Sequence, residues 1–169
     1  MSGHVSPDTF TPATVEADEK LKGRLEMIRR EGARRMGLNP DVQSVPKIVL
    51  LFPQSEANVE EGVDLRCLAM SMGQAHKAVP LTLSLCLGAA ANIEGTVAAT
   101  VCRNRDKNKK GEERGDEGKD RKKAEESRSV VIAHPSGTVE IGATFRDGVI
   151  VSADLHRTAR ILMKGEVYY

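Results

Sequence analysis

The chain has no tryptophan, only 3% aromatic residues, and no apolar run near the ~18 residues of a membrane-spanning helix. Its core must therefore be aliphatic, and recognition of single-stranded RNA by base stacking lacks its usual platforms. The three cysteines, Cys67, Cys86 and Cys102, form neither a CxxC pair nor an even set. That excludes a zinc ribbon and a disulfide framework, and it fits a reducing cytoplasm. An excess of one charge is missing too: 25 Lys and Arg stand against 24 Asp and Glu. With no overall field to steer it, the protein is expected to take neither nucleic acid nor a membrane as partner. The first twenty residues contain acids and lack the apolar stretch of a secretory leader. There is no Walker loop, GxGxxG, GxSxG or HExxH, so phosphoryl transfer, dinucleotide binding, serine hydrolysis and zinc proteolysis have no motif support.

What is present is one domain's worth of chain, 169 residues with 40% apolar content. Residues 103–128 depart from the rest, with 19 charged side chains out of 26, 11 basic and 8 acidic. They hold no aromatic or branched aliphatic residue to offset an ordering cost of ~1–2 kcal/mol per residue, and read as a disordered insertion. Its mixed signs favour a tolerated surface loop over a nucleic-acid or acidic-partner tether. Residues 1–15, rich in Ser, Thr and Pro, read as a flexible N-terminus, and residues 16–169 as the domain that the insertion interrupts.

Leu21, Leu25, Ile28 and Met36 recur at helical spacing from Asp18 to Met36, and Gly37 sits where a left-handed C-terminal cap belongs. Lys47–Phe52 and Val63–Leu68 read as strands, and Thr82–Asn92 as a helix so uniformly apolar or small that burial on all sides is expected. Gly95–Val101 and Ser129–Ala133 read as further strands. Residues 139–145 and 149–155 alternate as a hairpin. A three-residue Arg146-Asp147-Gly148 loop is expected there, because it pairs Phe145 with Val149 and Ile141 with Ala153 and keeps the apolar sets on one face. The fold class is then α+β, a strongly curved, barrel-like antiparallel sheet around the Thr82 helix with the Asp18 helix outside.

The residues least explained by packing run from Met70 to Pro80. Ser71, Met72, Gly73, His76 and Lys77 lie between a strand and a helix N-terminus, whose unpaired N–H groups suit a carboxylate. Thr82 is the natural N-cap, and Ser84 adds a hydroxyl in the first turn. The plain alternative is a capped helix after an ordinary loop. A second cluster, His134-Pro135-Ser136-Gly137, reads as a turn that can present Ser136 and free N–H groups to an acid. A third, His156 to Arg160, holds two arginines that either clamp carboxylates or are solvated. Cys86, inside the apolar helix, reads as an inert small hydrophobe.

In order along the chain, Leu25-Glu26-Met27-Ile28-Arg29, Ser71-Met72-Gly73-Gln74-Ala75-His76-Lys77-Ala78, Gly95-Thr96-Val97, His134-Pro135-Ser136-Gly137 and Arg157-Thr158-Ala159-Arg160-Ile161-Leu162-Met163 resemble the C-terminal half of the PrpF-like methylaconitate isomerases. That family includes oxalomesaconate tautomerase and has a diaminopimelate epimerase-like fold. The resemblance implies a 1,3-proton shift in an unsaturated di- or tricarboxylate, with no cofactor and no metal. The loop from Ser71 to Lys77, the start of the Thr82 helix with Ser84, and Ser136-Gly137 would then cradle the carboxylates. Where relatives begin the central helix Thr-Gly-Ala, this chain reads Thr82-Leu83-Ser84. The family's lysine and cysteine acid and base belong to the other, N-terminal lobe. Little turnover is therefore expected of the isolated chain, which would need a companion lobe or a second copy. The competing expectation is a non-catalytic carboxylate-binding or interaction module.

Overall fold

The structure is a computed structural model that describes residues 11–52, 61–102, 125–156 and 163–166. Helix α1 (Pro12–Ala17) starts at Thr11, whose hydroxyl accepts from the Thr14 N–H while the Thr14 side chain bonds back to the Thr11 backbone. Residues 12–15, read from composition as flexible, are thus helical, and Val15 is buried. Helix α2 (Glu19–Arg35) is capped by Asp18, whose carboxylate accepts from the Leu21 N–H at 2.9 Å. It ends in a Schellman turn: Gly37 has φ 71°, and the Leu38 N–H donates to the Ala33 carbonyl at 2.8 Å.

Among the described residues the sheet has six strands. Strands β1 (Ile48–Phe52), β2 (Leu65–Ser71), β4 (Glu125–His134), β5 (Gly137–Arg146) and β6 (Val149–His156) run in the order β1-β2-β4-β5-β6, and β3 (Gln74–His76) pairs with the far half of β2. The expected wholly antiparallel, barrel-like sheet is corrected in two respects. Strands β2 and β4 are parallel, through Leu65↔Ile132 and Arg66↔Ala133, and the sheet is open, with β1 and β6 at its ends among the described residues. Asp64 braces the parallel junction, its N–H donating to the Val131 carbonyl and its carboxylate accepting from the Val131 N–H, both at 2.9 Å.

Alternation along the strands sends residues to two cores. Leu68 and Met70 pack with Val15 and Leu25 beneath α1 and α2, together with Ile48, Leu50 and Phe52. Leu65, Cys67 and Ala69 pack on the opposite face with Val130, Ile132, Val139 and Ile141. That face carries helix α3 (Leu81–Ala91) and the short helix α4 (Val97–Val101). Buried Ser84, Leu87, Gly88 and Ala91 form one stripe of α3 at i, i+3, i+4 and i+7. Leu81, Thr82 and Cys86 are exposed, so α3 is not buried on all sides. The physical reason is the open sheet, which covers only one flank of the helix. The approach is close, because a Cβ on Gly88 would lie 2.3 Å from Ile141 Cγ2.

Three local expectations change. Residues 97–101 are helical rather than extended, because the Thr96 hydroxyl accepts from the Ala99 N–H and caps a new helix. Residues 125–128 belong to β4 and not to a disordered insertion; Glu125 pairs with Arg146, and the Arg128 guanidinium lies 5.4 Å from the Phe145 ring centroid. The β5–β6 turn has two residues, Asp147 and Gly148, both with positive φ, pairing Phe145 with Ile150. A register shift at Thr144/Phe145 then places Ile141 opposite Leu155, so a bulge does the work that the three-residue loop was expected to do. Among the described residues, no helix is long and apolar enough to cross a membrane.

Candidate functional site

Strands β3 and β4 share one edge of β2. Strand β4 runs up it beside Leu65 and Arg66 and ends at His134, whereas β3 runs down it, with Ser71↔Gln74 and Ala69↔His76. Their ends therefore meet: His134 Nδ1 lies 3.3 Å from the Lys77 carbonyl oxygen. The same nitrogen is 3.2 Å from the Ser136 N. A single ring nitrogen serves only one of these contacts at a time. Unprotonated, Nδ1 accepts from the Ser136 N–H. Carrying a proton, it donates to the Lys77 carbonyl and leaves the Ser136 N–H available.

Pro135 and Ser136 form the two-residue turn closed by the His134↔Gly137 pair, and Gly137 takes φ 137°. A cavity of about 400 Å3 adjoins this turn, lined among others by Arg66, Cys67, His134, Gly137 and Thr138. Exposed Glu61 lines it too. Burial pushes the Cys67 thiol up to about 12, which removes it as a nucleophile. Arg66 was missed at the sequence level, since one Arg in an alternating strand reads as the solvent face. Only the parallel pairing of β2 with β4, which no local pattern announces, brings it to the turn.

The remaining predicted residues divide. His76 and Lys77 are exposed, and Lys77 is three residues from Pro80, the α3 N-cap, so the helix start lies within ~10 Å of chain. Pro80 offers no side-chain cap, and Thr82, expected to cap, is an exposed residue of the first turn. Proline at position 80 fixes the extended φ of a cap residue itself, which displaces that role from Thr82. Ser84 is fully buried, with its hydroxyl donating to the Leu81 carbonyl at 2.7 Å, so it faces the core and not a ligand. Cys86, expected inside the apolar core, is exposed.

Ser71, Met72 and Gly73 lie at the opposite end of β3. Met72 and Gly73 have φ 52° and 75°, the paired left-handed conformation of a tight hairpin turn. Both line a small crevice with Lys22, Arg29 and Met70, on the α2 side of the sheet. The four residue steps from Gly73 to Lys77 span ~13 Å of extended chain, longer than one carboxylate can bridge. Glu16 fastens that strand, accepting from the Ala75 N–H, and this bond together with Lys22 holds its carboxyl below the usual range. The geometry thus brings Lys77, His134, Ser136 and Gly137 together and leaves the Met72-Gly73 turn apart. Arg157 and Arg160 lie outside the described residues. Among the described residues, no group of three or more His, Cys, Asp or Glu could hold a metal ion.

A family model described as PrpF protein matches residues 8–112. The chain belongs to the PrpF family. It is 29% identical to the 2-methyl-aconitate isomerase of Shewanella oneidensis over 90% of this chain and 38% of that protein. With the 3-methylitaconate isomerase of Eubacterium barkeri it shares 29% identity over 95% of this chain and 41% of that one. The 4-oxalomesaconate tautomerase of Pseudomonas putida is 30% identical over 91% and 37%. The crystal structure of a methylitaconate-delta-isomerase superposes with a TM-score of 0.69 at 25% identity, covering 94% of this chain and 40% of that one. This PrpF chain spans about two fifths of the length of the curated relatives it matches.

Proposed function

We propose that the chain is the carboxylate-binding lobe of a PrpF-type isomerase, in a diaminopimelate epimerase-like architecture, that moves a carbon–carbon double bond within an unsaturated di- or tricarboxylate. The observation that carries this reading is the meeting of Lys77 with the Ser136-Gly137 turn through His134, beside a cavity of about 400 Å3 lined by Arg66. That volume falls within the range of small-molecule sites. Arg66 supplies positive charge at the cavity wall, and the turn supplies N–H donors. The relatives' names, 2-methyl-aconitate isomerase, 3-methylitaconate isomerase and 4-oxalomesaconate tautomerase, indicate the substrate class.

In the proposed reaction a base removes an allylic proton, the electron pair delocalises toward a carboxylate, and an acid returns a proton two carbons away. Atoms and electrons balance without a cofactor. The barrier lies in the charge of the delocalised anion, which fixed N–H dipoles and cations stabilise better than they stabilise the ground state. Bound at the turn, a carboxylate takes the Ser136 N–H while the Nδ1–H tautomer of His134 donates to the Lys77 carbonyl. The acid and base come from a companion lobe. Titration with trans-aconitate by NMR in heavy water tests the reading: binding accompanied by exchange of substrate protons with solvent once a companion lobe is present supports an isomerase. Binding without exchange in both conditions favours a non-catalytic carboxylate-binding module, and no binding removes both.

A further inference from the structure

Strand β1 is out of character for a sheet edge. Edge strands are normally short, charged or interrupted by proline, because their outward N–H and C=O groups invite pairing. Here Ile48-Val49-Leu50-Leu51-Phe52 is apolar on both faces, the pattern of an interior strand, and all five residues are half-buried. Among the described residues it pairs only with β2. Beside it, a cleft of about 500 Å3 opens between β1, α3 and α4, walled by Val49, Leu51, Leu83, Leu87 and Val97, with Cys86 at its side. Val97 is 71% exposed and Leu81 53% exposed.

We infer that the outer edge of β1 accepts a strand, and that the occupant is an extended apolar segment from the part of a PrpF-type isomerase that lies outside the region matched by this sequence. The length of the relatives favours this occupant: the superposed methylitaconate isomerase matches 94% of this chain yet has three fifths of its own chain left over, since only 40% is matched. A strand added at β1 continues the sheet, and its inward side chains fill the cleft over α3, covering the flank that the open sheet leaves bare. This inference rests on the reading of the chain as one lobe, and it adds where the companion docks.

The test uses Cys86 as the reporter, because it is exposed while Cys67 and Cys102 are buried. The full chain is co-expressed with the tagged, unmatched part of the Eubacterium barkeri isomerase. Thiol labelling and backbone hydrogen exchange are then read on the co-purified pair and on the chain alone. The inference expects Cys86 labelling to slow by at least ~10-fold and the β1 amides to gain protection. Val97→Lys, at an exposed position that leaves the fold intact, is expected to abolish co-purification. Co-purification with Cys86 and β1 unchanged would place the contact elsewhere and overturn this inference while leaving the proposed function standing. Failure to co-purify overturns it as well, as does a β1-protected dimer of the chain alone, which would make a second copy the occupant.

Discussion

Strand β1 sends Ile48, Leu50 and Phe52 to one face of the sheet and Val49 and Leu51 to the other, and the two sets meet different surroundings. On the first face α1 and α2 are capped by side chains at their starts, and a buried arginine locks the segment that leads into β1. Arg29 is 5% exposed, holds Glu26 through two bonds of 2.7 Å, and donates to the carbonyls of Pro40, Val42 and Val45. On the second face α3 has no side-chain cap, shows Leu81 to solvent, and leaves a cleft against β1. One face closes from α1 and α2, while the other has its helix in place and, among the described residues, no element over the cleft. The candidate site lies where β3, β4 and the start of α3 converge.

Substitutions can break this contrast, starting with the largest effect. Arg29→Ala removes one partner of a buried pair and strands several carbonyls, so a loss of about 3 kcal/mol is expected in urea unfolding. Gly88→Ala should gain ~1 kcal/mol of helix propensity yet destabilise the protein by about 2 kcal/mol net, because its Cβ would run into Ile141. A stabilised variant would mean that α3 sits looser on β5 than described. Acid should act through the α2 side. The Glu26 carboxyl is held below its usual range by Arg29, and that of Glu16 by the Ala75 N–H and Lys22. Groups with a lowered folded pKa contribute fully above their unfolded value and lose that contribution as pH falls through the folded one. Stability should therefore fall below pH ~4.5, and the fall should be shallower in Arg29→Ala, where Glu26 has lost its partner. Val97→Lys on the open face should change stability by less than ~0.5 kcal/mol, as expected of an exposed site.

The elements that were legible in the sequence are those written in local chemistry. Asp18 and Gly37 mark the ends of α2, and the apolar run to Phe52 marks β1. The alternation of Val139, Ile141 and Ala143 fixed a buried strand, and their side chains lie in or beside the second core. What escaped depended on tertiary context. Val97 and Val101 suggested a strand, but the Thr96 hydroxyl starts a helix there. The bulge after the Asp147-Gly148 turn leaves no composition signal, so a three-residue loop was expected in its place. At the site, His134, Ser136 and Lys77 were readable as turn and loop residues too polar for packing. Arg66 was not, because its nearness to the turn follows from one parallel pairing between distant segments. Ser84 misled because a buried hydroxyl bonding its own helix has the same sequence appearance as a ligand-facing one.

On the proposed function, the carboxylate end of the substrate is held where β3 meets the β4–β5 turn. Backbone amide shifts of the labelled chain during titration with trans-aconitate test this most directly. Saturating shifts are expected at Lys77, Ser136 and Gly137, with affinity reduced at least ~10-fold by Arg66→Met, in line with a lost charge-assisted carboxylate contact. No comparable movement is expected at Met72 and Gly73. Saturating shifts confined to Met72 and Gly73, with Ser136 still, would contradict that placement.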